Sequence, residues 1–394
     1  MCLELPTSSS GGGIPLVEPE IRGKEWEYIK ECLDTGWVST AGSFVSHFEE
    51  QLASYLGVKY AVAVSSGTAA LHVALMTAGV QADDEVIVST LTFVAPANAI
   101  RYIGAWPVFM DADPHYWQLD VEKLSDFLQR ECKWVSGELR NKTSGRRIKA
   151  VLPVSILGHP VDLDSIFRLA CEYGLVVVSD AAESLGAEYK GEKLGKQEGL
   201  ACFSFNGNKV ITAGGGGMIV TNNGEWAERA RYLTTQAKDD PIEYIHNNIG
   251  FNYRLTNIQA AMGVAQMEQL DHYIAAKRAI AARYREGLRD VSGLAWSEVA
   301  EWGASTFWLS TVLVDADAYG IDSRALLVRL QEANIQSRPL WHPLYRLRPF
   351  KECVAYQIEV ADRLYRDGLS LPSSVGLKQQ DQEYIIGAIH RAVA

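Results

Sequence analysis

Seven short apolar runs, spread over residues 60–222 and separated by turns or helical stretches, leave few folds open to this chain. They are YAVAV (60–64), EVIVS (85–89), WPVFMDA (106–112), IKAVLPVS (148–155), LVVVSD (175–180), LACFSF (200–205) and GMIVTN (217–222). Most are apolar along their length rather than alternating, which marks strands buried on both faces. Between them lie helical stretches: TAALHVALMTAG ending on Gly79, residues 95–103 and residues 163–173. Short buried strands alternating with helices predict an α/β fold, with a mostly parallel seven-stranded sheet covered on both sides.

After residue 255 the texture changes. Residues 257–289 read as a long helical stretch rich in Ala, Leu, Lys, Arg and Glu, with a break near Asp271. A strand WLSTVLV (308–314), a helix at 323–333, an extended IQSRPLW (335–341) and a final helix from about Asp381 follow. The expected organisation is a flexible polar leader at 1–13, a large domain at 14–256, and a connecting helix with a smaller α/β domain at 257–394.

Composition excludes several functions. A formal net charge of -11 argues against a nucleic-acid partner, so any phosphate must be held by a local site. The six cysteines form no CxxC pair and have no His at metal spacing. They read as reduced thiols of a cytoplasmic protein without a metal centre. MCLELPTSSSGGG lacks the basic start and apolar stretch of a secretory signal. The most apolar long segment, 60–80, is interrupted by Ser65, Ser66, Gly67, Thr68 and His72, so no membrane span is expected.

Three features fall at strand ends, where an open α/β sheet has its ligand crevice. In SSGTAAL (65–71) a strand runs through Gly67 into a helix start, either an anion pocket or an ordinary cap by Ser66 or Thr68. Asp180 ends LVVVS, where a carboxylate needs a partner such as a protonated pyridine nitrogen; alone it also reads as a helix cap. Lys209 follows the strand FSF and precedes four glycines from Gly214, in a setting that suits a nucleophilic amine. Lys190, Lys193 and Lys196, in a polar turn, read as surface charges. The glycine run precedes a strand and not a helix, and GxxxxGK[ST] does not occur, so neither a dinucleotide site nor a P-loop is expected.

Taken in order, SSGTAALHVAL, LTFVAPANAI, SDAAESLGA, FSFNGNK with GGGG, GFNYRLTNIQAA, SRPLWHPL and LPSSV resemble the DegT-type nucleotide-sugar aminotransferases. That resemblance implies the aspartate-aminotransferase fold (PLP fold type I) and pyridoxal 5'-phosphate (PLP) as cofactor. It implies that Lys209 is the Schiff-base lysine and proton shuttle, and that Asp180 pairs with the pyridine nitrogen. It places Phe93 on the ring face, Glu183 near the phenolic oxygen, and Gly67, Thr68, Ala69 and Ser204 on the phosphate. Asn252 would reach the phosphate of a neighbouring subunit's cofactor, which implies a homodimer with shared active sites. Arg254, Arg338 and His342 become candidate substrate contacts. On the residues alone, Phe93 reads as core packing, Asn252 as a turn residue, and these three as solvated groups.

SFNGNK with TAGGGG, GWVSTAG (36–42), TTQAKDD (234–240) and GHPVDLD (158–164) resemble the legionaminic-acid and bacillosamine branch. This implies ping-pong transfer of an amino group from L-glutamate to a UDP-linked 4-keto-6-deoxy-N-acetylhexosamine, in cell-surface polysaccharide biosynthesis. Ser155 stands where many relatives carry His, and Ala213 where Thr is common. The alternatives are a PLP-dependent sugar dehydratase, whose lysine is replaced by His, a non-catalytic PLP or nucleotide-sugar sensor, and an amino-acid-processing enzyme of the same fold.

Overall fold

The computed structural model describes residues 13–393 apart from Glu198, so the leader lies outside the described residues except for Gly13. Two helices come first, α1 (Glu25–Thr35) and α2 (Ser43–Leu56). The seven expected strands follow as β1 (Tyr60–Val64), β2 (Glu85–Ser89), β3 (Trp106–Met110), β4 (Ile148–Leu152), β5 (Val176–Asp180), β6 (Leu200–Ser204) and β7 (Gly217–Thr221). Helix α3 (Gly67–Thr77) leaves β1 directly. The long helical stretch is two helices, α4 (Asn257–Met267) and α5 (Leu270–Gly287). Beyond it lie β8 (Leu294–Trp296), β9 (Ser310–Val314), β10 (Arg338–Pro339), β11 (Val354–Tyr356) and β12 (Gly368–Leu371).

The large sheet has the order β1-β7-β6-β5-β4-β2-β3-β11. From β6 to β11 all neighbours pair in parallel, while β7 runs antiparallel between β1 and β6. The sheet therefore has eight strands and not seven. The eighth, β11, has three partly exposed residues and is supplied by the C-terminal region, so no apolar run announced it. A smaller antiparallel sheet, β8-β9-β12-β10, completes the C-terminal part.

Two hydrophobic clusters support these sheets, and α5 serves both. Leu270, Tyr273 and Ile274 pack into the larger cluster, and Ile280 and Tyr284 into the smaller one. One helix thus joins the packing of the two sheets.

The C-terminal return of the chain is tied down by one buried carboxylate. Asp111, just past β3, accepts from Lys123 Nζ at 2.7 Å and from the amides of Glu359, Val360 and Ala361 at 2.8–2.9 Å. Burial raises the Asp111 pKa, but Lys123 and the three amides outweigh it, so the net shift is downward. A lowered folded-state pKa makes the contribution complete above the ordinary carboxylate range, near pH ~4, and lost as pH falls through the lower folded value. Asp111→Ala should cost about 3 kcal/mol at pH 7, because four donors lose their acceptor. Urea unfolding of mutant and wild type should show that gap narrowing below pH ~4.

Candidate active site

The parallel strands deliver their carboxyl ends to one side, and a cavity of about 300 Å³ opens there. Ser66, Gly67 and Thr68 line it from the end of β1, Thr92 and Phe93 from beyond β2, and Val154 from beyond β4. Asp180, Ala182 and Glu183 come from the end of β5, and Ser204, Asn206, Asn208 and Lys209 from beyond β6. Gly215 and Gly216 close the floor before β7, while Trp308 and Trp341 reach in from the C-terminal part.

The helix start at Gly67 is both an ordinary cap and a cradle. Ser66 Oγ accepts from the Ala69 amide at 3.1 Å, so that amide is already taken. Gly67 and Thr68 face the cavity, and Ala69 is not among its lining residues. A Cβ on Gly67 would lie 2.8 Å from Ser204 Cβ, so only glycine lets the helix start come this close to β6. Gly216, at φ +103°, bridges to Ser66 in a conformation that L side chains rarely adopt.

Lys209 Nζ lies 3.5 Å from Glu183 Oε1 and 4.4 Å from the centre of the Trp308 ring, in a site where both charged groups are largely shielded from solvent. Glu183 also accepts, through Oε2, from the Leu157 amide at 2.9 Å. Asp180 Oδ1 accepts from the Ala182 amide at 2.9 Å. Burial pushes both carboxyls above their usual range, and the charge of Lys209 pulls each part of the way back.

These groups suit PLP. Gly67, Thr68 and Ser204 form a close-approach cradle at a helix N-terminus, as a phosphate needs. Asp180 is a buried carboxylate that a protonated ring nitrogen would compensate. Phe93 is not core packing: it is 56% exposed while it lines the cavity, leaving its ring open to another flat group.

Other expected residues lie elsewhere. Arg254 Nη1 is paired with the buried Glu49 at 2.5 Å, and Arg231 holds the second oxygen of that carboxylate at 3.0 Å. It is therefore neither solvated nor a lining residue. Asn252 is exposed and bridges to Thr235, outside the cavity of its own chain. Arg338 and His342 are exposed and do not line the cavity, although Trp341 between them does. Ser155 is buried away from it, its carbonyl accepting from Ser184 Oγ at 2.6 Å. Sequence reasoning missed Trp308, Trp341, Thr92, Asn206 and Asn208. Trp341 stood inside SRPLWHPL, and Trp308 stood at the start of the expected strand WLSTVLV.

The DegT/DnrJ/EryC1/StrS aminotransferase family matches residues 19–390, and the chain belongs to that family. It is an aminotransferase that works with PLP. The GDP-perosamine synthase of Caulobacter vibrioides is 37% identical, covering 96% of this chain and 98% of the relative. EpsN of Bacillus subtilis, named as a candidate pyridoxal phosphate-dependent aminotransferase, is 39% identical over 95% and 94% of the two chains. The GDP-perosamine synthase of Escherichia coli O157:H7 is 38% identical, covering 96% and 98%. The crystal structure of DesI in the presence of its TDP-sugar product superposes with a TM-score of 0.86 at 28% identity, covering 97% of this chain and 93% of that one.

Gly67→Ala tests the cradle. The new methyl must displace Ser204, at a cost of about 1–3 kcal/mol. The protein should still fold, but the rise in melting temperature on adding PLP should shrink well below that of wild type. An unchanged rise would remove Gly67 from the phosphate site.

Proposed function

We propose that this aminotransferase moves the amino group of L-glutamate to the keto carbon of a nucleotide-linked keto-deoxy sugar, in two half-reactions at one site. The observation that carries this reading is the placement of Lys209 between Glu183 and Trp308, at the mouth of a phosphate-type cradle. PLP, when bound, supplies the electron sink that makes the proton on an amino-bearing carbon removable. Gly67, Thr68 and Ser204 would hold its phosphate, Asp180 would keep its ring nitrogen protonated, and Phe93 would pack on its face. Lys209 would take the proton from the amino-bearing carbon and hand it to the cofactor's aldehyde carbon, on the other side of the nitrogen, acting first as base and then as acid. Glu183 holds the Lys209 amine in line for both transfers.

Asn252, exposed and outside its own cavity, suits a homodimer in which Asn252 of the partner subunit reaches the phosphate. Arg338 and His342, flanking Trp341, remain the candidate contacts for the sugar or its nucleotide. Arg254 is not carried forward as one, because Glu49 already holds it. Among the described residues no helix is long and apolar enough to cross a membrane.

For the nucleotide, the names of two of the relatives favour a GDP-linked sugar of the perosamine type. A UDP-linked 4-keto-6-deoxy-N-acetylhexosamine is the second reading, supported by GWVSTAG, TTQAKDD and GHPVDLD. The test is to incubate the protein with glutamate and GDP-, UDP- or dTDP-linked keto sugars and weigh the products. Exchange of the keto oxygen for an amino group is expected with the GDP-linked sugar at the highest rate. A preference for the UDP-linked sugar would reverse the order. No amination in any arm, with PLP bound, would overturn the nucleotide-sugar reading.

A further inference from the structure

Lys277, on α5 at the junction of the two hydrophobic clusters, is 1% exposed, and among the described residues no charged group offsets its burial. Its Nζ donates to the carbonyls of Trp308, at 3.0 Å, and Ser373, at 2.9 Å. Burial pushes the ammonium down to about 7, the expected response of a desolvated amine without a counter-charge. An unbranched apolar side chain would fill this space without the desolvation penalty, so what lysine adds here is its donors.

Both acceptors sit at one end of the small sheet. Trp308 lies just before β9 and Ser373 just after β12, the two strands pair, and Ser310 N donates to Ser373 Oγ at 3.0 Å. Lys277 therefore staples the end of the sheet that faces the cavity to the long helix.

From Trp308 two routes lead to Lys209. Its indole covers the Lys209 amine at 4.4 Å, while Nε1 donates to the carbonyl of Asn208, the residue before Lys209, at 2.6 Å. Its backbone amide donates to the Leu157 carbonyl at 3.0 Å. The Leu157 amide in turn donates to Glu183, whose other oxygen faces Lys209. Leu157 sits at φ +58°, a conformation that costs a non-glycine residue energy and persists only where its surroundings enforce it. The Trp308 amide is one of the groups that enforces it.

We propose that Lys277 is a positioning residue for the transamination, fixing Trp308 and through it both the indole and the carboxylate that hold the Lys209 amine. The inference rests on the reading of Lys209 given above. It concerns how that amine is held, and Lys277 itself touches neither cofactor nor substrate.

The test compares holoprotein of wild type, Lys277→Met and Lys277→Gln. Three quantities are read: the half-reaction with glutamate, the pH titration of the visible absorbance of PLP linked to Lys209, and amide hydrogen exchange at Leu157 and Trp308. Lys277→Met should keep PLP and its half-saturating glutamate concentration within about twofold, while the limiting rate falls by about 10²-fold, the scale expected for a reacting group misplaced by about 1 Å. The titration midpoint should move by about one pH unit as the surroundings of Lys209 loosen. Exchange at Leu157 and Trp308 should rise about tenfold. Lys277→Gln, which keeps a donor, should fall between.

A Lys277→Met protein that is less stable yet keeps the wild-type rate and midpoint would make Lys277 purely structural and overturn the proposal. Failure of both variants to fold would do the same. Wild type carrying no PLP on Lys209 would instead overturn the reading of Lys209. The exchange measurement, which needs no cofactor, would then still decide whether Lys277 holds Trp308 and Leu157.

Discussion

A lysine amine held between a buried carboxylate and an indole is the contact on which the rest of this structure depends. Lys209 and Glu183 are too well shielded for water to carry their charges, so each needs the other. The parallel sheet makes that pairing available, because β5 and β6 are neighbours and end on the same side. The Glu183 loop and the Lys209 turn therefore arrive together. The glycine cradle at β1 and Asp180 at β5 fall on the same edge for the same reason. A sheet buried on both faces leaves its polar groups only at strand ends, and there they gather.

Much of this was legible in the residues, for physical reasons that differ between elements. YAVAV, EVIVS and LVVVSD could only be buried strands, and the structure has strands there. The strand-end positions of Asp180 and Lys209 followed from those runs. Three kinds of feature were not legible. The edge strand Val354–Tyr356 is too short and too exposed to carry a pattern. Helices α1 and α2 precede the strand-helix alternation and have no place in its pattern. Trp308 belongs to the site only because α5 folds the second sheet back, bringing together the Trp308 indole and the Asn208 carbonyl, 100 residues apart in sequence.

The same long-range folding holds segments well away from the cavity. The loop at 36–42 is held from a distance by Asn257, whose side chain donates to the Trp37 carbonyl at 2.7 Å and accepts from the Phe44 amide at 3.0 Å. A Cβ on Gly42 would overlap that side chain, so glycine is required there. The chemistry is thus built on the sheet edge, and Trp308 and Trp341 of the C-terminal part complete the cavity wall. Arg254 shows the reverse case. A cation next to a site motif reads as a substrate contact, yet here Glu49 claims it and it braces the end of β1.

The most direct measurement of the central claim is chemical trapping. Borohydride added to the PLP-loaded protein should fix the cofactor irreversibly on the peptide that contains Lys209, and Lys209→Ala should show neither the visible absorbance nor the labelled peptide. Label on Lys190, Lys196 or Lys277 in place of Lys209 would contradict the account.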